Sequence, residues 1–303
     1  MEIRRPRNRV EHRAALARLI DPNGAADPLI GERVDMLEDY ARKRNLSLDP
    51  CLILVHGNII RAVCLCLDAP GRTASILISP SVNEPELREP LASMLRQLQE
   101  GAAGRNVQLL QGMVAPECRE DAFIYEAAGF NFLATLLYMQ NDLRRLRVRP
   151  TRRVLTWETY SPRTHELFKR VVEGTYEDSL DCGSLNGVRD IEDILASHRA
   201  TGRFDPYYWR VGLSDGRPVG VILLSYMEEH QTFEVVYMGC LPACRNNGFG
   251  SSLLAHGVEL ARSRGLTAMS LSVDERNTPA RRMYASFGFT EMARRDVWIK
   301  VLG

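Results

Sequence analysis

Residues 244–250 read Cys-Arg-Asn-Asn-Gly-Phe-Gly, directly after the apolar run 233–241 and directly before a stretch of helical spacing, 251–261. A strand that turns through Arg-x-x-Gly-x-Gly into a helix can hold a pyrophosphate. The glycines allow close backbone approach and positive φ, successive N–H groups can face phosphate oxygens, and the helix N-terminus adds partial positive charge. Turns and helix starts also use glycine for conformational reasons alone, so both readings stand at this point. Two other phosphate motifs are excluded. There is no Gly-Lys-Ser/Thr for a P-loop, and no Gly-x-Gly-x-x-Gly with a downstream acidic ribose ligand.

The next segment adds weight to the phosphate reading. Residues 268–273 alternate like a strand, and Asn277, a short helix, Tyr284 and Gly288-Phe289 follow in order. This combination resembles the GNAT superfamily of acetyl-CoA-dependent N-acetyltransferases. That family's cofactor motif is Arg/Gln-x-x-Gly-x-Gly/Ala, followed by Asn-x-x-Ala-x-x-x-Tyr-x-x-x-Gly-Phe. Here Arg245, Gly248, Gly250, Asn277, Ala280, Tyr284, Gly288 and Phe289 match it, within residues 151–303. The resemblance implies an acetyl-CoA site built from Met238, Gly239, Cys240, Arg245, Asn246, Asn247, Gly248, Phe249, Gly250, Ser251 and Asn277. Backbone N–H groups of 238–240 would meet the acetyl carbonyl and pantetheine where the motif strand splays from its neighbour, with Gly239 easing a bulge there. Asn277 would contact the coenzyme arm or hold the splay.

The chain also repeats itself. Laying residues 86–130 on 245–289 with a constant shift of 159 gives nine identities in 45, among them Leu95/Leu254, Val114/Val273, Tyr125/Tyr284, Gly129/Gly288 and Phe130/Phe289. They fall on the buried spacing of the helix, on the strand and on the Tyr-x-x-x-Gly-Phe segment, as two copies of one fold require. The expected architecture is therefore α/β: two tandem GNAT-like domains, 1–143 and 151–303, each a twisted mixed sheet flanked by helices. An Arg-rich linker is expected near 141–153. The copies differ chemically, because Glu86, Glu89, Leu91 and Cys118 stand where the second has Arg245, Gly248, Gly250 and Asn277. Like charge, lost glycines and prolines at 80, 85 and 90 all argue against phosphate binding in the first copy. Tyr125 is then expected to be a packing aromatic.

Within the second copy, a strand over 153–158, a helix from Pro162, a loop at 181–187, a helix carrying Ile191 and Leu195, and a hairpin about 214–217 complete the expected order. Composition fits an ordinary globular protein, with 45% apolar residues and a net charge of +1. No bulk attraction to nucleic acid, no membrane span and no signal-peptide core are expected. A cytoplasmic monomer or homodimer follows as the expectation. The seven cysteines lack zinc-ligand spacing, which favours free thiols and no metal. The arginines at 4–9 are expected to be solvated, and His230 and His256 to be surface or packing residues.

Amide formation from a thioester needs an unprotonated nitrogen, a stabilised oxyanion and a proton for the departing thiolate. By resemblance to GNAT histone acetyltransferases, Glu234 is the expected base, eleven residues before Arg245. Tyr284 is the expected acid. Cys240 and Cys244 lack a nearby histidine base, and the family transfers directly, which argues against a covalent acyl-enzyme. By the same resemblance, the acceptor loop would carry Glu173, Tyr176, Glu177, Asp178 and Asp181, whose carboxylates suit a cationic small-molecule or peptide amine. The function expected is acetyl transfer to such an amine, in the manner of tandem GNAT enzymes. The alternative is a non-catalytic acyl-CoA-binding or interaction protein.

Overall fold

The computed structural model describes residues 1–21, 28–79, 84–144 and 153–302; Pro80 and residues 145–152 of the expected linker lie outside them. In chain order the elements of the first half are β1 (Glu2–Arg4), α1 (Arg9–Ile20), α2 (Ile30–Lys43), β2 (Cys51–His56), β3 (Ile59–Ala69), β4 (Thr73–Ile78), α3 (Arg88–Ala103), β5 (Leu109–Val114) and α4 (Arg119–Ala127). Then follow β6 (Asn131–Asp142), β7 (Thr156–Thr159), α5 (His165–Tyr176), α6 (Ile191–Ala200), β8 (Trp209–Ser214), β9 (Arg217–Met227) and β10 (Thr232–Cys240). The chain closes with α7 (Phe249–Ser263), β11 (Ala268–Asp274), α8 (Thr278–Ser286) and β12 (Thr290–Val301).

The residues form two compact units: Met1–Leu133 with Asp296–Gly303, and Ala134–Arg295. In the first, β1, β2, β3 and β4 pair antiparallel in succession, β4 pairs parallel with β5, and β5 pairs antiparallel with residues 296–301 of β12. In the second, β7, β8, β9 and β10 pair antiparallel in succession, β10 pairs parallel with β11, and β11 pairs antiparallel with residues 136–142 of β6. The succession is the same, as the constant-shift repeat requires. The terminal strands are exchanged, however: the strand that ends the first half of the chain completes the second unit's sheet, and the last residues of the chain complete the first's.

Alternation along the strands decides which helices cover which face. In the second unit, Ile222, Leu224, Phe233 and Val235 pack with Leu253, Leu254 and Val258 of α7. Their strand neighbours Val211, Val221 and Leu223 pack with Phe168, Val172 and Leu195 of α5 and α6. Asp215 and Gly216, both at positive φ (49° and 73°), make the tight β8–β9 turn, as two-residue hairpins favour. In the first unit, Arg4 departs from the expected solvated end: its guanidinium is bonded to Glu11 at 2.5 Å and its side chain is 16% exposed. All seven cysteines are free thiols. No helix among the described residues is long and apolar enough to cross a membrane.

Candidate active site

The site begins where two parallel strands part. β10 and β11 pair only from Phe233–Met269 to Val235–Leu271, while β10 stays paired with β9 to its end, Cys240 opposite Gly220. The register of β10 against β9 slips by one residue between Val235 and Tyr237. This bulge sits at Val236, three residues earlier than the Gly239 position expected from the sequence. Its effect is to re-aim the strand. Phe233 and Val235 face α7, Tyr237 joins the cluster under α5 and α6, and Met238 and Cys240 return to the α7 side. Gly239 serves close approach: a Cβ there would lie 2.7 Å from Cβ of Thr175 on α5.

Beyond β10, a short 3-10 turn over Pro242–Cys244 leads to the loop that enters α7. Asn246 (φ 60°) and Gly248 (φ 85°) are both left-handed, and Gly248 is the N-cap, with no side chain capping the helix. The first helical bond is Ser252 N–H to the Gly248 carbonyl, 3.3 Å, so the N–H groups of Phe249, Gly250 and Ser251 have no intrahelical acceptor. A cavity of about 370 Å³ opens on this turn. Of the expected cofactor residues, Met238, Gly239, Cys240, Arg245, Asn246, Gly248, Gly250, Ser251 and Asn277 line it. Asn247 and Phe249 do not. Asn247 is exposed and its carbonyl accepts from Arg153 at 3.1 Å, while Phe249 is buried with the Arg153 guanidinium 5.2 Å above its ring.

Arg245 is engaged elsewhere. Its guanidinium donates to the carbonyls of Thr175 (3.0 Å), Glu177 (2.5 Å) and Asp178 (2.9 Å), and to that of Cys240 (3.2 Å). It therefore satisfies carbonyls at the C-terminal end of α5, where a cation also complements the helix dipole. The arginine ties the phosphate-type loop to the segment that follows α5.

On the far side of the cavity, Asn277 caps α8 through its Oδ1, which accepts from Ala280 N–H at 3.3 Å. About two turns on, Tyr284 is 6% exposed, lines the cavity, and its hydroxyl has no hydrogen-bond partner among the described residues. Burial first, and then the neighbouring Asp181, hold its phenol well above the ordinary tyrosine value. Its counterpart in the first unit, Tyr125, has a different setting. It is buried to 1% and its hydroxyl donates to the Ile76 carbonyl at 2.9 Å. Leu91, the counterpart of Gly250, is also fully buried, and Glu89 is paired with Arg96.

A second cavity, about 690 Å³, lies between α5, α6 and the segment joining them. Of the expected acceptor residues, Glu173, Tyr176, Glu177 and Asp181 line it, whereas Asp178 lines the loop cavity. Asp181 and Tyr237 line both. His198 stacks on Tyr237, ring centroids 5.4 Å apart, and its Nε2 is buried without a partner. Burial, with a lesser push from Arg189, lowers its imidazole from 6.5 to about 4. Below pH 6.5 the unfolded chain takes up a proton that the folded chain refuses. Stability should then fall as pH drops from about 6.5 to 4, by up to about 3 kcal/mol. Melting curves of a His198→Phe variant over that range are expected to show a shallower decline; an unchanged slope would remove the assignment.

Glu234 is set apart from Tyr284. It lies on the Tyr237 face of β10, over a separate cavity of about 310 Å³ lined also by Tyr138, His230 and Ser270. Burial raises its carboxyl above the ordinary value. His256 packs flat on Trp157, centroids 3.8 Å apart. Asp181, Cys182 and Asp274 bring donor atoms within 4.8 Å of one another. Asp274 is already engaged by Arg276 (2.7 Å) and by Cys182 N–H (3.1 Å), and Asp181 by Asp274 N–H (2.8 Å), so these residues do not argue for an ion.

Residues 173–289, which hold the parted strands, the loop and both cavities, match the profile of the acetyltransferase (GNAT) family. Over that segment the chain is similar to the GNAT acetyltransferases. Over 285 residues, 92% of this chain and 89% of the relative, it is 28% identical to a mycothiol acetyltransferase of Thermomonospora curvata. A mycothiol acetyltransferase of Thermobifida fusca is 35% identical over 110 residues, covering 34% of this chain and 30% of that one. Among solved structures, a GCN5-related N-acetyltransferase from Sphaerobacter thermophilus superposes with a TM-score of 0.65 at 19% identity, over 99% of this chain and 95% of that one. A tandem GNAT protein from the clavulanic acid biosynthesis pathway does so with 0.53 at 15% identity, over 100% and 99%. The repeated succession of strand pairings accords with the fold of these structures.

The sequence missed Tyr237, Thr175 and Met283 as lining residues. Only the bulge brings Tyr237 to the seam between the cavities, and a Val-Val run carries no mark of one.

Proposed function

We propose that the second unit transfers acetyl from acetyl-CoA to a small-molecule or peptide amine, with residues 245–251 holding the coenzyme pyrophosphate and Tyr284 returning a proton to the leaving sulfur. One observation carries this reading: the uncapped first turn of α7 and the unpartnered Tyr284 hydroxyl open onto the same cavity, at the point where β10 and β11 part. The residues present suit the coenzyme. Free N–H groups at a helix N-terminus attract phosphate, and a left-handed Gly248 turns the backbone toward it. Gly250 leaves room, since its added Cβ would come within 3.2 Å of the Met283 sulfur. Bound acetyl-CoA supplies the activated thioester. The chain orients it, keeps water from the parted strands, and provides the phenolic proton, which burial keeps on Tyr284 until a thiolate forms beside it.

Glu234, the base expected from the sequence, faces an adjoining cavity and does not line the one onto which Tyr284 opens. Since relatives carry the name mycothiol acetyltransferase, compounds related to mycothiol are the first acceptors to assay. The test is release of free CoA from acetyl-CoA in the presence of a panel of amines. CoA binding without release by any amine would leave only the binding-protein alternative. Native mass spectrometry of the intact chain should find one CoA per chain; two would overturn the inference that Glu86, Glu89 and Leu91 disable the first copy.

A further inference from the structure

We propose that Asp181 receives the acceptor's ammonium group and takes its proton, because Asp181 is the carboxylate at the seam between the donor and acceptor cavities. The inference rests on the acetyltransferase reading above and names the base and the charge class of its substrate. Asp181 and Tyr237 line both cavities, so an amine moving from the larger one toward Tyr284 passes between them. The side chain is held in place by its surroundings. One oxygen accepts from Asp274 N–H at 2.8 Å, and the neighbouring Cys182, at φ 49°, donates its N–H to Asp274 at 3.1 Å. The other oxygen of Asp181 has no partner among the described residues and is free to meet a ligand.

The groups facing Asp181 make it the charge that acts at the seam. Tyr176 at the end of α5, Tyr237 on β10, Tyr284 on α8 and Cys182 beside it are all held in their neutral forms at pH 7 by burial. At the end of β11, Asp274 is neutralised by Arg276 at 2.7 Å. Burial and the Asp274 charge raise the Asp181 carboxyl, and Asp274 N–H and Arg276 pull the other way, with a net rise. That direction suits a proton acceptor near neutrality. Glu173 and Glu177 on the cavity wall are offset by Arg170 and Arg189, which leaves the Asp181 carboxylate as the excess charge and favours an amine that arrives as a cation.

The protons balance. The ammonium gives one proton to Asp181; the freed nitrogen forms the C–N bond at the acetyl carbon as the C–S bond breaks. The sulfur takes the Tyr284 proton, the excess proton on the new amide nitrogen restores the phenol, and Asp181 releases its own to solvent.

The decisive variant is Asp181→Asn, which keeps an oxygen for Asp274 N–H and should therefore fold and melt like the parent. It should bind CoA within about twofold of wild type by calorimetry. With spermidine as the probe acceptor, its kcat/KM at pH 7 should be down about 100-fold, the low end of general-base contributions. The deficit should shrink as pH climbs toward the amine's own pKa near 10. Glu234→Gln should cost less than about tenfold. A readout that needs no turnover is the Asp181 carboxyl carbon resonance, identified by difference between wild type and Asp181→Asn. It should titrate above the ordinary carboxylate value and shift downward when spermidine is added. Wild-type turnover by Asp181→Asn, lost CoA binding, or a resonance titrating at the ordinary value unmoved by spermidine would each overturn this assignment alone. A wild-type protein that binds no CoA would overturn the acetyltransferase reading, and this assignment with it.

Discussion

Gly250→Trp is expected to weaken CoA binding at least 100-fold while leaving the protein folded. Gly250 lies in the first turn of α7 and lines the loop cavity of about 370 Å³. A Cβ added there meets the thioether of Met283 at 3.2 Å and Cys240 Sγ at 3.7 Å, both side-chain atoms rather than backbone. Met283 can swing aside at small cost, because its side chain is flexible, so the first carbon of the new residue is tolerated. The indole beyond it has only the cavity to occupy. A melting temperature within a few degrees of wild type, together with calorimetry showing no CoA uptake, would meet this expectation. Normal CoA affinity would mean that the coenzyme lies elsewhere. Replacing Gly248 is a harsher test, since its φ of 85° strains any L side chain although nothing lies within 4 Å of the added carbon.

The two equivalent tyrosines should respond to loss of the hydroxyl in opposite ways. The Tyr284 hydroxyl is buried beside the cavity with no partner among the described residues, so Tyr284→Phe removes no hydrogen bond and should leave stability unchanged or slightly higher. Its kcat should fall by about 10² or more, the usual size of a general-acid contribution. Tyr125→Phe should do the reverse. It breaks the 2.9 Å bond to the Ile76 carbonyl in a packed interior, where the ring presses so close that a Cβ on Gly112 would lie 2.1 Å from it. A loss of about 1 kcal/mol of stability with turnover intact is expected. Denaturant melts and steady-state kinetics on both variants check the pair. Equal effects on activity would mean that the first unit also touches the reaction.

The repeat at a constant shift was legible because equal buried spacing demands equal layers, and the succession of strand pairings bears this out in both units. So was the strand-loop-helix junction at 244–250, since few residues other than glycine accept the backbone at Gly248. Two features had no signature. Arg245 reads as a phosphate arginine by motif, yet it is bound to carbonyls of the segment after α5, and backbone acceptors leave no trace in side-chain identity. Glu234 and Tyr284 were paired by family offset, but Glu234 alternates with Phe233 and Val235, whose cluster holds Tyr284, and it opens on a different cavity, which an offset along the sequence does not record. Nor does a strand's own sequence say which sheet it joins, so the exchange of β6 and residues 296–301 of β12 left no mark.

That exchange has a consequence for how the protein is made. The free side of β5 is paired by residues 296–301, which leave the ribosome only after the second unit has been made. Domains usually fold as they emerge, N-terminal first, but here the earlier unit waits with an open sheet edge until the later one has been synthesised. An unpaired edge is a template for association with other chains. Nascent chains stalled before residue 296 should therefore be the aggregation-prone species, and their dependence on chaperones should end when residues 296–301 are released.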